Sequence, residues 1–327
     1  MKKTVKWGIL GPGAVSRLFA EGLRSAAGAV IEAVGSRTLE RGRKFALEFG
    51  VGNWYGSYSD LISRPGIDAV YIGTPHSFHR EHTILCLEGG KNVLCEKPFA
   101  INASQAKEMA AAARRRNLAL MEAMWIRFLP ALKGACELIG EGVIGEVREV
   151  TADFGFRSEF DPEGRLFNPA LGGGALLDVG VYTVTLAHLI LGRPDTVEAT
   201  ARIGRTGVDE ETEVLFGYEG GARAVLTMAI SRETSCDACI TGSKGAVFIP
   251  APWWKSERFE LAREDESKRR FHLPYGGNGY THQADEFMDM IRTGKQESEI
   301  MPLDESVSVM KSLDRIRNKL GLRYPME

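Results

Sequence analysis

Short apolar runs alternate with helical patterns from residue 5 to about residue 122 of the 327-residue chain. The apolar runs predict strands at residues 5–10, 30–36, 69–73, 93–96 and 118–122. Helical periodicity between them predicts helices near residues 14–27, 39–49, 79–89 and 103–116. This alternation is typical of a doubly wound α/β domain, in which helices cover both faces of a parallel sheet.

A different pattern begins after Pro130, where a helix is expected to about Gly140. Alternating apolar and polar positions then predict strands at residues 147–154, 197–203, 213–218 and 222–228, and a hairpin that joins 237–241 to 246–249. Such period-two runs favour a large, open, mainly antiparallel sheet. Amphipathic helices are expected after residue 280 and over about 303–320.

Composition narrows the class of partner. The chain has 41 Lys and Arg against 43 Asp and Glu, which gives a formal net charge of -2. Binding to nucleic acid or to an anionic membrane usually leaves a basic patch, and the sequence shows none. We therefore expect a small-molecule partner, with no nucleic acid and no membrane.

The cysteines and the apolar runs bear on the compartment. Five cysteines are too few and odd in number for a disulfide framework, which indicates a reducing environment. Cys236 and Cys239 form a C-x-x-C pair, but no second pair or nearby His completes a zinc site, so no metal is expected. Gly11 and Pro12 break the first apolar stretch early, and no uninterrupted apolar run approaches the length of a membrane span. A cytoplasmic protein is the resulting expectation.

The first predicted strand leads into a glycine-rich turn that opens a helix, with the sequence Gly11-Pro12-Gly13-Ala14-Val15-Ser16. The glycines permit a tight turn and let a pyrophosphate approach the helix N-terminus, where N–H groups lack intrahelical partners. This setting favours dinucleotide binding by residues 11–15, and an ordinary glycine-rich turn is the alternative. Ser16 replaces the third glycine of the usual fingerprint, which loosens the match.

The end of the second predicted strand bears on the choice between NAD and NADP. NAD-binding domains usually place an acidic residue there to bind the ribose 2′-hydroxyl. This strand ends instead in Gly35-Ser36-Arg37. A hydroxyl and a guanidinium suit a 2′-phosphate, because Arg donates bidentate, charge-assisted hydrogen bonds. We predict that Ser36 and Arg37 favour NADP, the alternative being that Arg37 is a solvated loop residue.

Three further motifs carry candidate chemistry. Residues 73–79 read Gly-Thr-Pro-His-Ser-Phe-His and residues 95–99 read Cys-Glu-Lys-Pro-Phe, each after a predicted strand. Open α/β sheets bind their ligands at these carboxyl ends. In the second half, a triple glycine at 172–174 precedes Asp178 and Tyr182, whose spacing of four puts them on one helical face.

The order and spacing of these motifs resemble those of the glucose–fructose oxidoreductase/inositol dehydrogenase/rhizopine catabolism (Gfo/Idh/MocA) family. The T-P-x-x-x-H, E-K-P and D-x-x-x-Y motifs, with the glycine-rich turn, extend the resemblance over nearly the whole chain. Residues 121–130, Met-Glu-Ala-Met-Trp-Ile-Arg-Phe-Leu-Pro, are similar to the dimeric dihydrodiol dehydrogenase and NADP-dependent xylose dehydrogenase branch.

The resemblance implies roles for individual residues. It implies cofactor contacts from Thr74, Pro75, His76, His79, Glu96, Lys97, Trp125 and Arg127. For His76 and His79 the alternative role is helix capping, and for Trp125 and Arg127 it is interdomain packing and a surface charge. The family's E-K-P lysine lies beside the nicotinamide, which makes Lys97 a predicted catalytic residue.

By the same resemblance, Tyr182 maps onto the proton-transfer residue and Asp178 onto a substrate-positioning carboxylate. A buried core aromatic and a helix cap are the alternatives. Oxidation of an alcohol needs a base for the hydroxyl proton while hydride leaves the same carbon. A free Tyr, with a pKa of about 10, is a poor base, and a nearby Lys97 ammonium would lower that pKa.

We therefore expect a Rossmann domain over residues 1–123 and a substrate-binding and oligomerisation α+β domain over residues 124–327. The resemblance implies a homodimer or higher homo-oligomer. The expected function is an NADP-dependent oxidoreductase, with NAD possible, that moves hydride between nicotinamide and a CH–OH or carbonyl carbon. A sugar, a polyol or a cyclic diol is the expected substrate. The alternative is a non-catalytic NAD(P)-binding regulator or sensor with the same fold.

Overall fold

The structure, a computed structural model, describes residues 3–264 and 266–327. The described chain folds into two compact units, each assembled from segments that are distant in sequence. The first unit contains Met1–Ala100, Ser104–Trp125 and Gly276–Val307, and the second contains Ile101–Ala103, Ile126–Tyr275 and Ser308–Glu327. Local periodicity carries no signal for the return of Gly276–Val307 to the first unit.

A parallel sheet forms the centre of the first unit, with six strands among the described residues. The strands are β1 (Val5–Leu10), β2 (Ala29–Gly35), β3 (Trp54–Tyr55), β4 (Ala69–Ile72), β5 (Asn92–Glu96) and β6 (Leu120–Ala123). Their order is β3-β2-β1-β4-β5-β6, and each neighbouring pair is parallel. This is the strand order of the doubly wound dinucleotide-binding fold. The predicted doubly wound α/β domain is confirmed.

Helices cover this sheet and differ little from the predicted ones. They are α1 (Ala14–Leu23), α2 (Leu39–Phe49), α3 (Tyr58–Ser63), α4 (His79–Glu88) and α5 (Ala103–Arg116). Every residue of β4 is buried, as expected for a strand with helices on both faces. Strand β3 and helix α3 were not predicted, because a two-residue strand and a six-residue helix have too few positions to show a period.

An open sheet forms the centre of the second unit, with eight strands in the part of the chain that the structure describes. The strands are β7 (Val147–Gly155), β8 (Thr196–Ile203), β9 (Asp209–Gly217), β10 (Arg223–Ala229), β11 (Ala238–Gly242), β12 (Gly245–Ile249), β13 (Arg258–Arg263) and β14 (Glu266–His272). Their order is β14-β13-β12-β11-β7-β10-β9-β8. The β7–β10 pair is parallel and the other neighbours are antiparallel.

The predicted open, mainly antiparallel sheet is therefore confirmed, together with the hairpin of β11 and β12. Strands β13 and β14 were not predicted. Nearly every residue of β14 is exposed and several are charged, so the strand lacks the apolar alternation on which the sequence prediction depends.

The remaining helices are α6 (Pro130–Gly140), α7 (Val181–Leu191), α8 (Tyr280–Thr293) and α9 (Leu303–Leu320). Helix α7 packs against β7 and β10, and its residues 181–188 are all buried. Contrary to expectation, one helical segment among the described residues, Pro169–Leu191, is long and apolar enough to cross a membrane. Its most apolar window is 83% buried inside the protein, so its hydrophobicity serves core packing.

Candidate active site

The predicted cofactor residues lie at the carboxyl ends of neighbouring parallel strands in the first unit. Gly11 follows β1, Ser36 follows β2, Thr74 follows β4 and Lys97 follows β5. Because parallel strands end at the same edge of a sheet, these positions share one edge. Backbone hydrogen bonds extend the pairing into the loops, since Gly11 N donates to the Gly35 carbonyl at 3.0 Å.

The glycine-rich turn has the geometry of a phosphate cradle. Gly11 has a φ of +87°, and a Cβ there would lie 2.7 Å from Thr74 Cγ2, so a side chain is excluded. Gly13 is the N-cap of α1 and has no side-chain cap, and Ala14 and Val15 form the first turn with no acidic residue. The N–H groups at this helix end therefore suit an anion such as pyrophosphate.

Ser16 fits at the third glycine position of the motif because Gly73, which packs against it, has no side chain. The Ser16 hydroxyl is buried and donates a 2.6 Å hydrogen bond to the Gly11 carbonyl. A Cβ at Gly73 would lie 2.1 Å from Ser16 Oγ. The departure from the usual fingerprint therefore leaves the turn intact and adds a bond that holds Gly11 in place.

Two guanidinium groups lie close to the end of β2. Arg37 and Arg41 are both exposed, whereas Ser36 is buried and accepts a hydrogen bond from Thr38 N at 3.5 Å. Burial raises the pKa of Tyr58, and the positive charges of Arg37 and Arg41 partly offset that rise. Arg41, in the first turn of α2 and four residues after Arg37, was not among the predicted site residues.

His79 is buried and contacts the backbone of two predicted motifs, at Thr74 and at Pro98. Its ring is fully buried, with Nε2 2.9 Å from the Thr74 carbonyl and Nδ1 2.8 Å from the Pro98 carbonyl. Burial lowers the pKa of His79 to about 4, so the ring is neutral at pH 7 despite the two carbonyls that favour its charged form. A neutral ring has one N–H, so His79 donates to one of the two carbonyls and packs against the other, which ties it to both the Thr74 and the Pro98 turns. His76 is also buried, in a short 3-10 turn of its own.

The turn that carries Lys97 is fixed by buried carboxylates. Tyr71 donates a 2.5 Å hydrogen bond to Glu96 Oε1, and Lys97 N lies 3.2 Å from Glu96 Oε2. Phe99 N donates to Glu122 Oε1 at 3.0 Å. Glu96 is 3% exposed and Glu122 is fully buried, so both anchor the backbone on either side of Lys97.

Trp125 and Arg127 fall in different compact units. The Trp125 ring stacks on Tyr280 of α8, with centroids 5.0 Å apart and an interplanar angle of 12°. Arg127 lies two residues later in the same 3-10 turn but belongs to the second unit. The stacking shows an aromatic partner for Trp125 that the sequence analysis did not anticipate.

Asp178 and Tyr182 follow the triple glycine in the second unit. Asp178 lies in a π-helical turn, Leu176–Gly180, and Tyr182 lies in the first turn of α7. The predicted continuous α-helix therefore begins with a wider turn, of a kind often found at functional sites. Asp178 is 4% exposed, and its Oδ1 accepts a 2.7 Å hydrogen bond from Arg165 Nη1.

An aromatic cluster lies against Tyr182. The Phe154 ring of β7 is 5.4 Å from the Tyr182 ring, and it stacks on Trp254 with centroids 3.4 Å apart. The sequence analysis missed Phe154, Trp254 and Arg165 as site residues. Neighbouring tryptophans at 253 and 254, in a loop after a proline, were the available signal.

Comparisons with known proteins cover both units. The family described as "Oxidoreductase family, NAD-binding Rossmann fold" matches residues 5–124, and the "GFO/IDH/MocA C-terminal domain" matches residues 133–248. A trans-1,2-dihydrobenzene-1,2-diol dehydrogenase from Xenopus tropicalis is 35% identical over 332 residues, which are 98% of this chain and 99% of that protein.

Solved structures show the same similarity in fold. A 3-ketoreductase from Actinomadura kijaniata in complex with NADP and TDP-benzene superposes with a TM-score of 0.88 at 27% identity, over 97% of this chain and 98% of that one. An aldose-aldose oxidoreductase from Caulobacter crescentus complexed with glycerol gives a TM-score of 0.88 at 26% identity, over 97% of each chain. The likeness thus covers almost the full length of the chain in both sequence and fold.

Proposed function

The chain belongs to the Gfo/Idh/MocA oxidoreductase family, and from this premise we propose that it is an NADP-dependent oxidoreductase. It transfers a hydride between nicotinamide and a CH–OH or carbonyl carbon of a sugar, a polyol or a cyclic diol. The observation that carries the proposal is the shared sheet edge, where the phosphate cradle at Gly11, the Ser36–Arg37 turn and Lys97 follow the parallel strands β1, β2 and β5.

The cofactor fits the residues of this edge. The glycine cradle, residues 11–15, holds the pyrophosphate at the N-terminus of α1, where a Cβ at Gly11 would intrude. Ser36, Arg37 and Arg41 bind the 2′-phosphate through charge-assisted hydrogen bonds, which favours NADP over NAD. In the first unit, the proposed contacts with the nicotinamide end come from residues 74–76, Lys97 and Trp125, and Glu96 and His79 hold the turns that carry them. Arg127 is a further proposed cofactor residue, assigned by the resemblance alone. When bound, the cofactor supplies or accepts the hydride.

Residues of the chain transfer the hydroxyl proton and position the substrate. Tyr182 takes the hydroxyl proton in oxidation and returns it in reduction. Lys97 is the second proposed catalytic residue, assigned by its match to the family's E-K-P lysine, which lies beside the nicotinamide. Asp178 accepts a hydrogen bond from a second substrate hydroxyl, and its bond to Arg165 orients the carboxylate.

The aromatic cluster at Tyr182 supports a ring-shaped substrate. Phe154 and Trp254 are both partly exposed, and their stacked pair places aromatic, apolar surface next to the Tyr182 ring. Sugars and cyclic diols combine an apolar ring face with hydroxyls at the edge, so they match an aromatic surface with a few polar groups. This class agrees with the names of the relatives, which include a diol dehydrogenase and an aldose-aldose oxidoreductase.

A homodimer or higher homo-oligomer in the cytoplasm completes the proposal. Residues directly opposite each other on adjacent strands point to the same face of a sheet. In the second-unit sheet, one such row of cross-strand partners contains Phe248, Cys239, Thr151, Val225 and Leu215. Phe248, Val225 and Leu215 are 37%, 41% and 40% exposed, an unusual set for a solvated sheet face. Light scattering on Val225→Glu should report a smaller assembly than wild type. Leu47→Glu, on an exposed apolar side chain of the first unit, should leave the assembly unchanged.

The test of function is turnover. Purified protein is incubated with NADP(H) or NAD(H) and a panel of aldoses, ketoses, polyols and cyclic trans-diols, while nicotinamide absorbance is followed. Substrate-dependent turnover with NADP(H) is the expected result. Normal cofactor binding with no turnover across the panel would overturn the enzyme proposal and favour a non-catalytic sensor.

A further inference from the structure

A buried network lies beneath the triple glycine that precedes Asp178 and Tyr182. Asp209, at the start of β9, is fully buried. Its Oδ2 accepts hydrogen bonds from Leu176 N at 2.7 Å and from Thr212 Oγ1 at 2.8 Å. The first N–H groups of a helix lack intrahelical acceptors, and Asp209 supplies one from outside the turn.

Gly174 connects this carboxylate to the turn. It has a φ of +116°, and a Cβ there would lie 2.2 Å from Asp209 Oδ1. The Gly174 carbonyl accepts a 3.1 Å hydrogen bond from Asp178 N. The triple glycine therefore allows a carboxylate to approach the backbone at the entrance to the π-helical turn.

A second support reaches the same loop from residues after α9. The buried Tyr324 hydroxyl donates a 2.7 Å hydrogen bond to the Gly173 carbonyl. Tyr324 N donates to Glu327 Oε2 at 3.0 Å, and the Arg317 guanidinium donates to both oxygens of Glu327 at 2.8 Å. Arg317 also lies over the Tyr324 ring, 5.3 Å from its centroid. Tyr324 is thus held from several sides when it reaches Gly173.

We propose that Asp209 and Tyr324 are positioning residues that set the backbone of the turn carrying Asp178 and Tyr182. The proposal rests on the function proposed above. Asp209 fixes the N–H end of the turn and Tyr324 fixes the carbonyl just before it, so the wider π-helical geometry is held from two directions. Hydride and proton transfer depend on near-attack geometry, and a displacement of about 1 Å can cost about a hundredfold in rate.

A purely structural role would have different consequences. Loss of a core contact lowers stability throughout the unit, whereas loss of a positioning bond lowers kcat while cofactor affinity and global stability change little. Tyr324→Phe removes only the hydroxyl that contacts Gly173. Tyr218→Phe is a matched control, because the Tyr218 hydroxyl is buried and has no hydrogen-bond partner among the described residues.

The kinetic test compares wild type, Tyr324→Phe and Tyr218→Phe with NADP and a substrate found in the panel. We expect kcat to fall about tenfold in Tyr324→Phe, with the cofactor Kd and the substrate KM within about twofold of wild type. Tyr218→Phe should match wild type. Asp209→Ala should lower kcat in the same way, and Asp209→Asn, which keeps an acceptor oxygen for Leu176 N, should restore most of it. Equal kcat in all these variants would overturn the proposal.

Hydrogen exchange of the peptides that span residues 173–185 gives a readout that needs no turnover. Faster exchange confined to these peptides in Tyr324→Phe, with Tyr218→Phe unchanged, is the expected result. If wild type shows no turnover but this local effect is present, the proposed enzyme function is wrong, and the proposal that Tyr324 positions the turn is still supported. Exchange that is unchanged, or faster across the whole second unit, would contradict the positioning role.

Discussion

Arg165 Nη1 donates a 2.7 Å hydrogen bond to Asp178 Oδ1, and the two side chains differ sharply in exposure. The guanidinium side chain is 57% exposed and the carboxylate side chain is 6% exposed. A surface cation therefore holds a buried anion in the turn that leads to Tyr182. An exposed Arg in an irregular loop gives no sequence signal of this role.

Arg165→Ala should lower kcat/KM about tenfold, mainly through a higher KM, because Asp178 loses the charged donor that orients its carboxylate. Steady-state kinetics with the wild-type substrate measures the change. Arg165→Lys should recover part of the activity, since it restores the charge without the planar donor geometry. An unchanged KM in Arg165→Ala would separate Asp178 from substrate binding.

Arg37→Ala and Arg41→Ala should each raise the Kd for NADP about tenfold or more and leave the Kd for NAD nearly unchanged. The reason is that, in the proposed binding mode, each guanidinium contacts only the 2′-phosphate, which NAD lacks. Calorimetry with both cofactors makes the measurement. Arg43→Ala, on an exposed side chain of the same helix, is the control and should bind both cofactors as wild type does. Equal losses for NAD and NADP would contradict a phosphate-specific role.

Gly73→Ala should destabilise the protein by about 1–3 kcal/mol and weaken cofactor binding, because its Cβ would lie 2.1 Å from Ser16 Oγ. Chemical denaturation and cofactor titration measure the two effects. The double variant Ser16→Gly/Gly73→Ala removes the clash and should recover most of both. If the second change rescues neither property, the close packing of Ser16 against Gly73 is not what fixes residue 73 as glycine.

Some site residues could be predicted from the sequence and others could not. The tight turn at Gly11 was predictable, because a glycine-rich motif after an apolar strand indicates its own local geometry, whereas the role of Arg37 stays a prediction. Tyr182 and Lys97 were assigned by resemblance to a family, and their roles stay predictions. The role of Asp209 could not be predicted, because its hydrogen bond with Leu176 joins residues 33 positions apart and depends on tertiary packing.

The same limit applies to the aromatic cluster and to the division of the chain. Phe154 fits the period of its strand equally well with or without a role beside Tyr182. The stack on Trp254 joins residues from separate elements, and no local pattern links them. Helix α8 was predicted as an amphipathic helix, yet nothing in its own period indicates that it packs on α1 in the first unit.

Asp209 should also impose a pH dependence on stability. Burial raises its pKa from 3.8 to about 7 in the folded protein, while hydrogen bonds from Thr212 and Leu176 and the charge of Arg317 oppose the rise. Between pH 3.8 and about pH 7, Asp209 is protonated in the native state and ionised in the unfolded state. This contribution to stability is therefore greatest below about pH 4 and falls, by up to about 4 kcal/mol, as the pH rises through 7.

Asp209→Asn does not titrate, so its free energy of unfolding relative to wild type should increase from about pH 4 to about pH 7 and level off above that. Chemical denaturation of both proteins across this range measures the difference in free energy of unfolding. Because the other titrating groups are common to both proteins, the difference isolates Asp209. A difference that stays constant with pH would show that Asp209 has the same protonation in the folded and unfolded states.

The most direct test of the central claim is the single-turnover rate of hydride transfer in Tyr182→Phe, measured with saturating NADP and a substrate identified by the panel. The account predicts a rate lower by about 10²–10⁴-fold, with the Kd for NADP unchanged and Tyr218→Phe equal to wild type. A Tyr182→Phe rate close to that of wild type would contradict the account, because the hydroxyl proton would then pass through another group.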